Sequence, residues 1–174
     1  MAEFRGVWRR AGVPALLAFL LAACSVTNVS LVNDHRLVFL TPASRAHLHL
    51  PVTLRWSMSG QGARPTTTAG SGTYFAVFVD RPPVEPGQTL RAVAQDDLSC
   101  RRTPGCPDAA YFSARQIYTT SSESIVLDRV DDLADNRQQE QLHEATVVLM
   151  GPGGRRAGES AWYRDFWLPK AGQS

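Results

Sequence analysis

Thr73-Tyr74-Phe75-Ala76-Val77-Phe78-Val79-Asp80 is apolar at every residue between its two ends. Successive side chains of an extended chain point to opposite sides. Phe75, Val77 and Val79 then share one face, and Tyr74, Ala76 and Phe78 share the other. β-Branched and aromatic side chains suit such a pleated surface. A strand that is apolar on both faces is central in its sheet or covered on its second side. Arg81-Pro82-Pro83 ends it, because proline has no N–H to give to a sheet ladder.

Upstream, Arg36 to Leu40 is a short apolar run stopped by Thr41-Pro42. His49 to Trp56 alternates, with Val52, Leu54 and Trp56 on one side and Thr53, Arg55 and Ser57 on the other. That period of two predicts a half-buried strand, with Pro51 near its start. Gly60 to Gly72 is rich in Gly, Thr and Ser and reads as a loop. Downstream, Pro86-Gly87 marks a turn and Gln88 to Ala94 reads as a short strand, followed by a loop over residues 95–110. Gln116 to Thr120 and Ser124 to Val130 are two more short strands. Asp131 to Gln141 is polar and reads as a helical turn or a solvated loop. His143 to Met150 and the aromatic-rich Ser160 to Leu168 flank the turn Gly151-Pro152-Gly153-Gly154, which predicts an antiparallel hairpin.

No amphipathic helical pattern of useful length appears after residue 24. About seven short strands separated by turns predict an all-β antiparallel sandwich. Three pieces resemble immunoglobulin-like or fibronectin type III-like domains of bacterial surface proteins. They are Pro51-Val52-Thr53-Leu54-Arg55-Trp56 with its core tryptophan, Tyr74 to Val79, and the closing hairpin from His143 to Leu168. The resemblance spans residues 36–168 and rests on pattern. It lacks two cysteines at inter-sheet positions, so an antibody-type domain is not implied. A lipocalin-like barrel is the alternative architecture, and it would want more and longer strands.

The N-terminus carries an address. Arg5, Arg9 and Arg10 form a positive region, and Val13 to Leu21 an apolar one interrupted by Pro14. The run from Gly12 to Ala23 is shorter than the roughly 20 apolar residues of a bilayer span. Leu21-Ala22-Ala23-Cys24 closes the segment and resembles the lipobox of bacterial lipoproteins. The resemblance implies removal of residues 1–23 and a diacylglyceryl group on Cys24. One acyl chain holds a protein only marginally, whereas two anchor it stably. Residues 24–35 would be a lipidated tether, 36–170 the sandwich and 171–174 a tail. Within that tether, Val29 to Val32 could add an edge strand. The implied location is a cell membrane, or an outer membrane since Ser25 follows the cysteine, facing the extracytoplasmic side.

That reading changes the charge and cysteine accounts. Residues 1–23 hold Arg5, Arg9, Arg10 and Glu3, the whole of the chain's formal charge of +2. The remaining 151 residues are neutral, which gives no reason to expect nucleic acid. With Cys24 acylated, Cys100 and Cys106 remain, separated by Arg-Arg-Thr-Pro-Gly. In an oxidising compartment an even remainder reads as one disulfide, stiffening a protruding loop.

Several constellations carry candidate chemistry. His47 and His49, with His35 and Met58 near, are the metal candidates; the pattern loosely resembles periplasmic copper-binding sandwiches. The alternative is two polar residues on an exposed strand end. Ser160, His143 and Asp165 can be written as a hydrolase triad, but Gly158-Glu159-Ser160-Ala161-Trp162 is not a nucleophile elbow. Asp131-Asp132 with Asp135-Asn136 lacks the alternation and glycine of a calcium loop, and Asp96-Asp97 shares that weakness. In the last strand, Trp162 and Phe166 take one face and Tyr163 and Trp167 the other. Burial on both sides is the preferred reading, and an open Tyr163–Trp167 face would be a partner or glycan platform. The sequence therefore points to a non-enzymatic domain that calls for no cofactor. It would bind or scaffold an envelope protein or glycan, anchored to the bilayer through acylated Cys24. A metal-binding sandwich and a small envelope hydrolase are the alternatives.

Overall fold

The computed structural model describes residues 35–60, 72–133 and 139–170. Cys24, the signal, the tether up to residue 34, most of the 60–72 loop, Asp135-Asn136 and the tail lie outside the described residues. Among the described residues, eight strands form two sheets. They are β1 (Leu37–Thr41), β2 (Ala46–His47), β3 (Val52–Met58), β4 (Tyr74–Val79), β5 (Ile117–Thr120), β6 (Ser124–Leu127), β7 (Glu140–Met150) and β8 (Trp162–Pro169). The small sheet runs β1-β3-β6 and the large one β2-β8-β7-β4-β5. All pairings are antiparallel except β2 with β8, where Ala46 sits beside Phe166 and His47 beside Trp167. The chain is an all-β sandwich.

The facing sides of the sheets close over one core. Leu37, Val52, Leu54, Trp56 and Leu127 come from the small sheet, and Phe75, Val77, Val79, Ala145, Val147, Trp162, Phe166 and Leu168 from the large one. Trp56 lies at the centre, edge-on to Phe39 at 6.2 Å and to Phe75 at 5.2 Å between ring centroids. Each such side chain, fully buried, contributes about 1.5–3 kcal/mol of transfer free energy.

The second apolar face of β4 has its own cover. Ala76, Phe78, Ile117, Val148 and Met150 pack under Val84 and Leu90, with Phe112 against them. The segment between β4 and β5 supplies this cover. Gln88 to Ala94 is not a strand: Leu90–Ala94 is a 3-10 helix, and only Thr89 makes an isolated bridge, to Arg155. Leu90 and Ala94, four residues apart, turn inward as one helical face rather than as alternate strand residues. Two five-residue helices follow, α1 (Leu98–Arg102) and α2 (Ala109–Ser113). Arg156 ties the cover to the β7–β8 hairpin. Its guanidinium donates to the carbonyls of Val84 and Glu159, both at 2.7 Å.

Cover does not reach the other half of that face. Along β7 the outward side chains are Glu140, Leu142, Glu144 and Thr146, then Val148 and Met150. Glu144 is exposed, whereas Thr146, Val148 and Met150 are buried, so cover on this face begins at Thr146. The β7–β8 turn needs glycine at its end: Gly154 has φ +69°, and a Cβ there would lie 3.3 Å from the Tyr74 hydroxyl.

Candidate functional site

The uncovered half of the large sheet's outer face is built by β7 and β8. Tyr163 is 67% exposed and Trp167 is half-buried, so the expectation of burial on both sides fails here. The other pair, Trp162 and Phe166, is core. The physical reason is the reach of the cover, which stops over β4 and the far end of β7. At about 3.3 Å rise per residue, Tyr163 and Trp167 stand about 13 Å apart on one face. Asp165 lies between them, directly opposite Glu144 on β7. No ion pair joins either carboxylate to another described residue, and like charges placed opposite each other are destabilising in a sheet. Thr146, opposite Tyr163, donates to the Glu144 carboxylate at 3.2 Å, and Leu142 lies opposite Trp167. Aromatic surface here flanks two carboxylates that no cation neutralises among the described residues.

His47 belongs to this face. Its ring stacks on Trp167 at 6.0 Å, and its Nδ1 meets the Glu140 carboxylate at 2.9 Å. β2 ends at His47, so His49 is not the next residue on a shared strand face. Among the described residues no group of three His, Cys, Asp or Glu side chains is placed to hold a metal ion. His35 instead lines a groove of about 380 Å³ between β1 and the first half of β8, floored by Phe39 with the Arg164 guanidinium 5.0 Å above its ring.

Ser160, His143 and Asp165 are not brought together. His143 pairs with Phe166, so Trp162 is already about 13 Å away along β8 and Ser160 lies beyond it. The His143 ring points into the molecule, where Nδ1 meets Asp80 Oδ2 at 2.6 Å. A carboxylate only accepts, so Nδ1 carries the proton. Their side chains are 3% and 8% exposed. The other Asp80 oxygen accepts from the Glu144 N–H at 2.9 Å. Asp80 thereby locks the end of β4 to β7 in a left-handed conformation, φ +53°, which Asp tolerates better than most residues. Gln141 is another internal lock: its fully buried amide accepts from Leu133 N–H at 2.8 Å and donates to Leu133 C=O at 3.4 Å. Sequence reading places neither residue in these roles, since both are polar and their partners are 63 and 8 residues away.

Cys100 and Cys106 are joined, with Cα atoms 5.2 Å apart. Asp97, weighed above as a calcium ligand, is spent on structure. It accepts from the backbone N–H groups of Ser99 and Cys100, from the Tyr111 hydroxyl at 3.0 Å and from Arg115 at 2.8 Å. The bond from the Cys100 N–H, then that from Tyr111, hold its pKa below the usual 3.8. Arg115 also stacks on the Tyr111 ring, 3.6 Å from its centroid. Burial, then the hydrogen bond to Asp97, pushes the Tyr111 hydroxyl up from 10.0. Asp131 pairs with Arg129 at 3.0 Å. No protein-family model, curated protein or solved structure matches this chain.

Proposed function

We propose that the protein is a lipid-anchored, non-enzymatic envelope domain. It docks another envelope component on the uncovered half of its large sheet. The observation that carries the reading is the exposed Tyr163 beside Trp167, on a face whose other half is covered by a dedicated segment. A sheet face left open over the half of the hairpin away from its turn, with an exposed tyrosine and two carboxylates that no cation neutralises among the described residues, is unusual for an isolated domain. The burial of His143 against Asp80, away from Ser160, supports binding over hydrolysis. The finer fold reading is immunoglobulin-like. Its support is the strand order, in which β1-β3-β6 corresponds to A-B-E and β8-β7-β4-β5 to G-F-C-C′. Acylation of Cys24 supplies the anchor, and the lipobox pattern is its support.

Two measurements test this. Cys24→Ser in the full chain moves the protein out of the membrane fraction and abolishes fatty-acid labelling; unchanged fractionation removes the anchor from the account. Tyr163→Cys in intact membranes is protected from a water-soluble maleimide, whereas Val126→Cys, on a strand of the small sheet and 50% exposed in the wild type, reacts freely. Equal reactivity at the two positions removes the docking face.

A further inference from the structure

We propose that the partner on this face includes a second copy of the chain, held by exchange of opposite charges between two patches of the same molecule. This rests on the docking reading above and names one occupant for it. The first patch is the strip of Tyr163, Asp165, Trp167 and Glu144, with its two opposed carboxylates. The second is helix α1, where Leu98 is 65% exposed and Arg101 and Arg102 are exposed at the C-terminal end. The disulfide and the Asp97 cap hold α1 rigid. Asp97 faces its own cap and Arg115, so it does not cancel the arginines at the helix's other end.

Both patches belong to one side of the molecule. Phe112 of α2 packs on the outward residues of β4 and β5, and Tyr111 and Arg115 beside it bind Asp97 at the start of α1. Hydrogen bonds also connect them in steps. Arg81 follows Asp80 and donates to the Arg115 carbonyl at 2.8 Å, while Asp80 binds Glu144, the residue opposite Asp165. A chain of contacts through Asp97, Arg115, Arg81 and Asp80 therefore connects the basic apolar knob to the acidic aromatic strip. A two-fold axis between two copies, parallel to the strands, lays the knob of each on the strip of the other. Such a contact is isologous and closes at two copies. Leu98 then meets Trp167 and Tyr163, and Arg101 and Arg102 supply the counter-charges that Asp165 and Glu144 lack.

The test is light scattering on the full chain in mild detergent, with detergent mass subtracted. The wild type is expected at twice the chain mass at low salt. Raising the salt should shift it toward one copy, because rim charges are screened. Glu144→Arg with Asp165→Arg should be monomeric, and so should Arg101→Glu with Arg102→Glu. An equimolar mixture of these two variants should recover the doubled mass, since one of its two contacts is the wild-type pairing and the other is that pairing with the charges reversed. A wild type that stays monomeric at about 100 µM overturns the proposal, as does a dimer indifferent to both reversals or a mixture that does not recover. A monomeric chain whose Tyr163→Cys variant is still protected in membranes would leave the docking face standing with a different occupant.

Discussion

Asp80→Ala is expected to be the most damaging single polar substitution in the domain. The carboxylate takes two hydrogen bonds in a nearly dry site, from His143 Nδ1 at 2.6 Å and from Glu144 N–H at 2.9 Å. Truncation leaves both donors without an acceptor. A buried donor left unpaired costs about 1–3 kcal/mol. Two donors to one buried carboxylate are stranded at once, which together costs about 3–5 kcal/mol. Alanine at φ +53° adds about 1 kcal/mol, since a Cβ disfavours that region without a compensating side-chain bond. The sum is about 4–6 kcal/mol, a large part of the roughly 5–15 kcal/mol that a domain of this size holds. Asp80→Asn keeps the backbone preference and one acceptor for Glu144, and should cost about half as much. The assay is equilibrium unfolding in urea followed by tryptophan fluorescence, with the disulfide kept oxidised. Trp56, at the core's centre, reports the collapse of the sandwich. A change below 1 kcal/mol for Asp80→Ala would refute the reasoning, and so would equal losses for the alanine and asparagine variants.

Gln141→Leu keeps the volume but strands the N–H and C=O of Leu133, and should cost about 1–3 kcal/mol with faster amide exchange at Leu133; exchange as slow as wild type contradicts the lock. Cys100→Ser with Cys106→Ser opens a small loop, so the chain-entropy model gives a loss of about 2 kcal/mol. A denaturation midpoint identical to wild type would show that the loop is already ordered by the Asp97 cap alone. The Asp97 carboxyl titrates below 3.8 in the folded protein, so its contribution is present above that pH and is lost as the pH falls through the lowered value. Thermal melting from pH 5 to pH 2.5 should show part of the wild type's acid sensitivity missing in Asp97→Asn; parallel curves would contradict the assignment.

The sandwich was legible because its signals are local. Tyr74 to Val79 announces a doubly covered strand from its own six residues, and it does lie between β7 and β5 under a second apolar layer. The turn at Gly151 to Gly154 likewise fixes the hairpin from composition alone. Gln88 to Ala94 misled because Leu90 and Ala94 fit either a strand end or one helical turn, and only the face they cover decides. The locks formed by Asp80, His143 and Gln141 have no local signature, since a buried polar side chain is recognisable only once its distant partner is in place. The docking strip sits between these cases. Alternation put Tyr163 and Trp167 on one face, and the switch along β7 from Glu144 to Val148 carried the extent of the cover. Pairing Glu144 with Asp165 needed the register of the hairpin.

The uncovered half of the large sheet is the surface proposed to be occupied in the envelope. A photo-crosslinking amino acid in place of Tyr163, compared with one in place of Val126, tests it most directly in cells making the full chain. A discrete adduct is expected from the Tyr163 position, lost when Glu144→Arg and Asp165→Arg are added, and none from the Val126 position. Adducts of the same kind from both positions, or none from either, would contradict it.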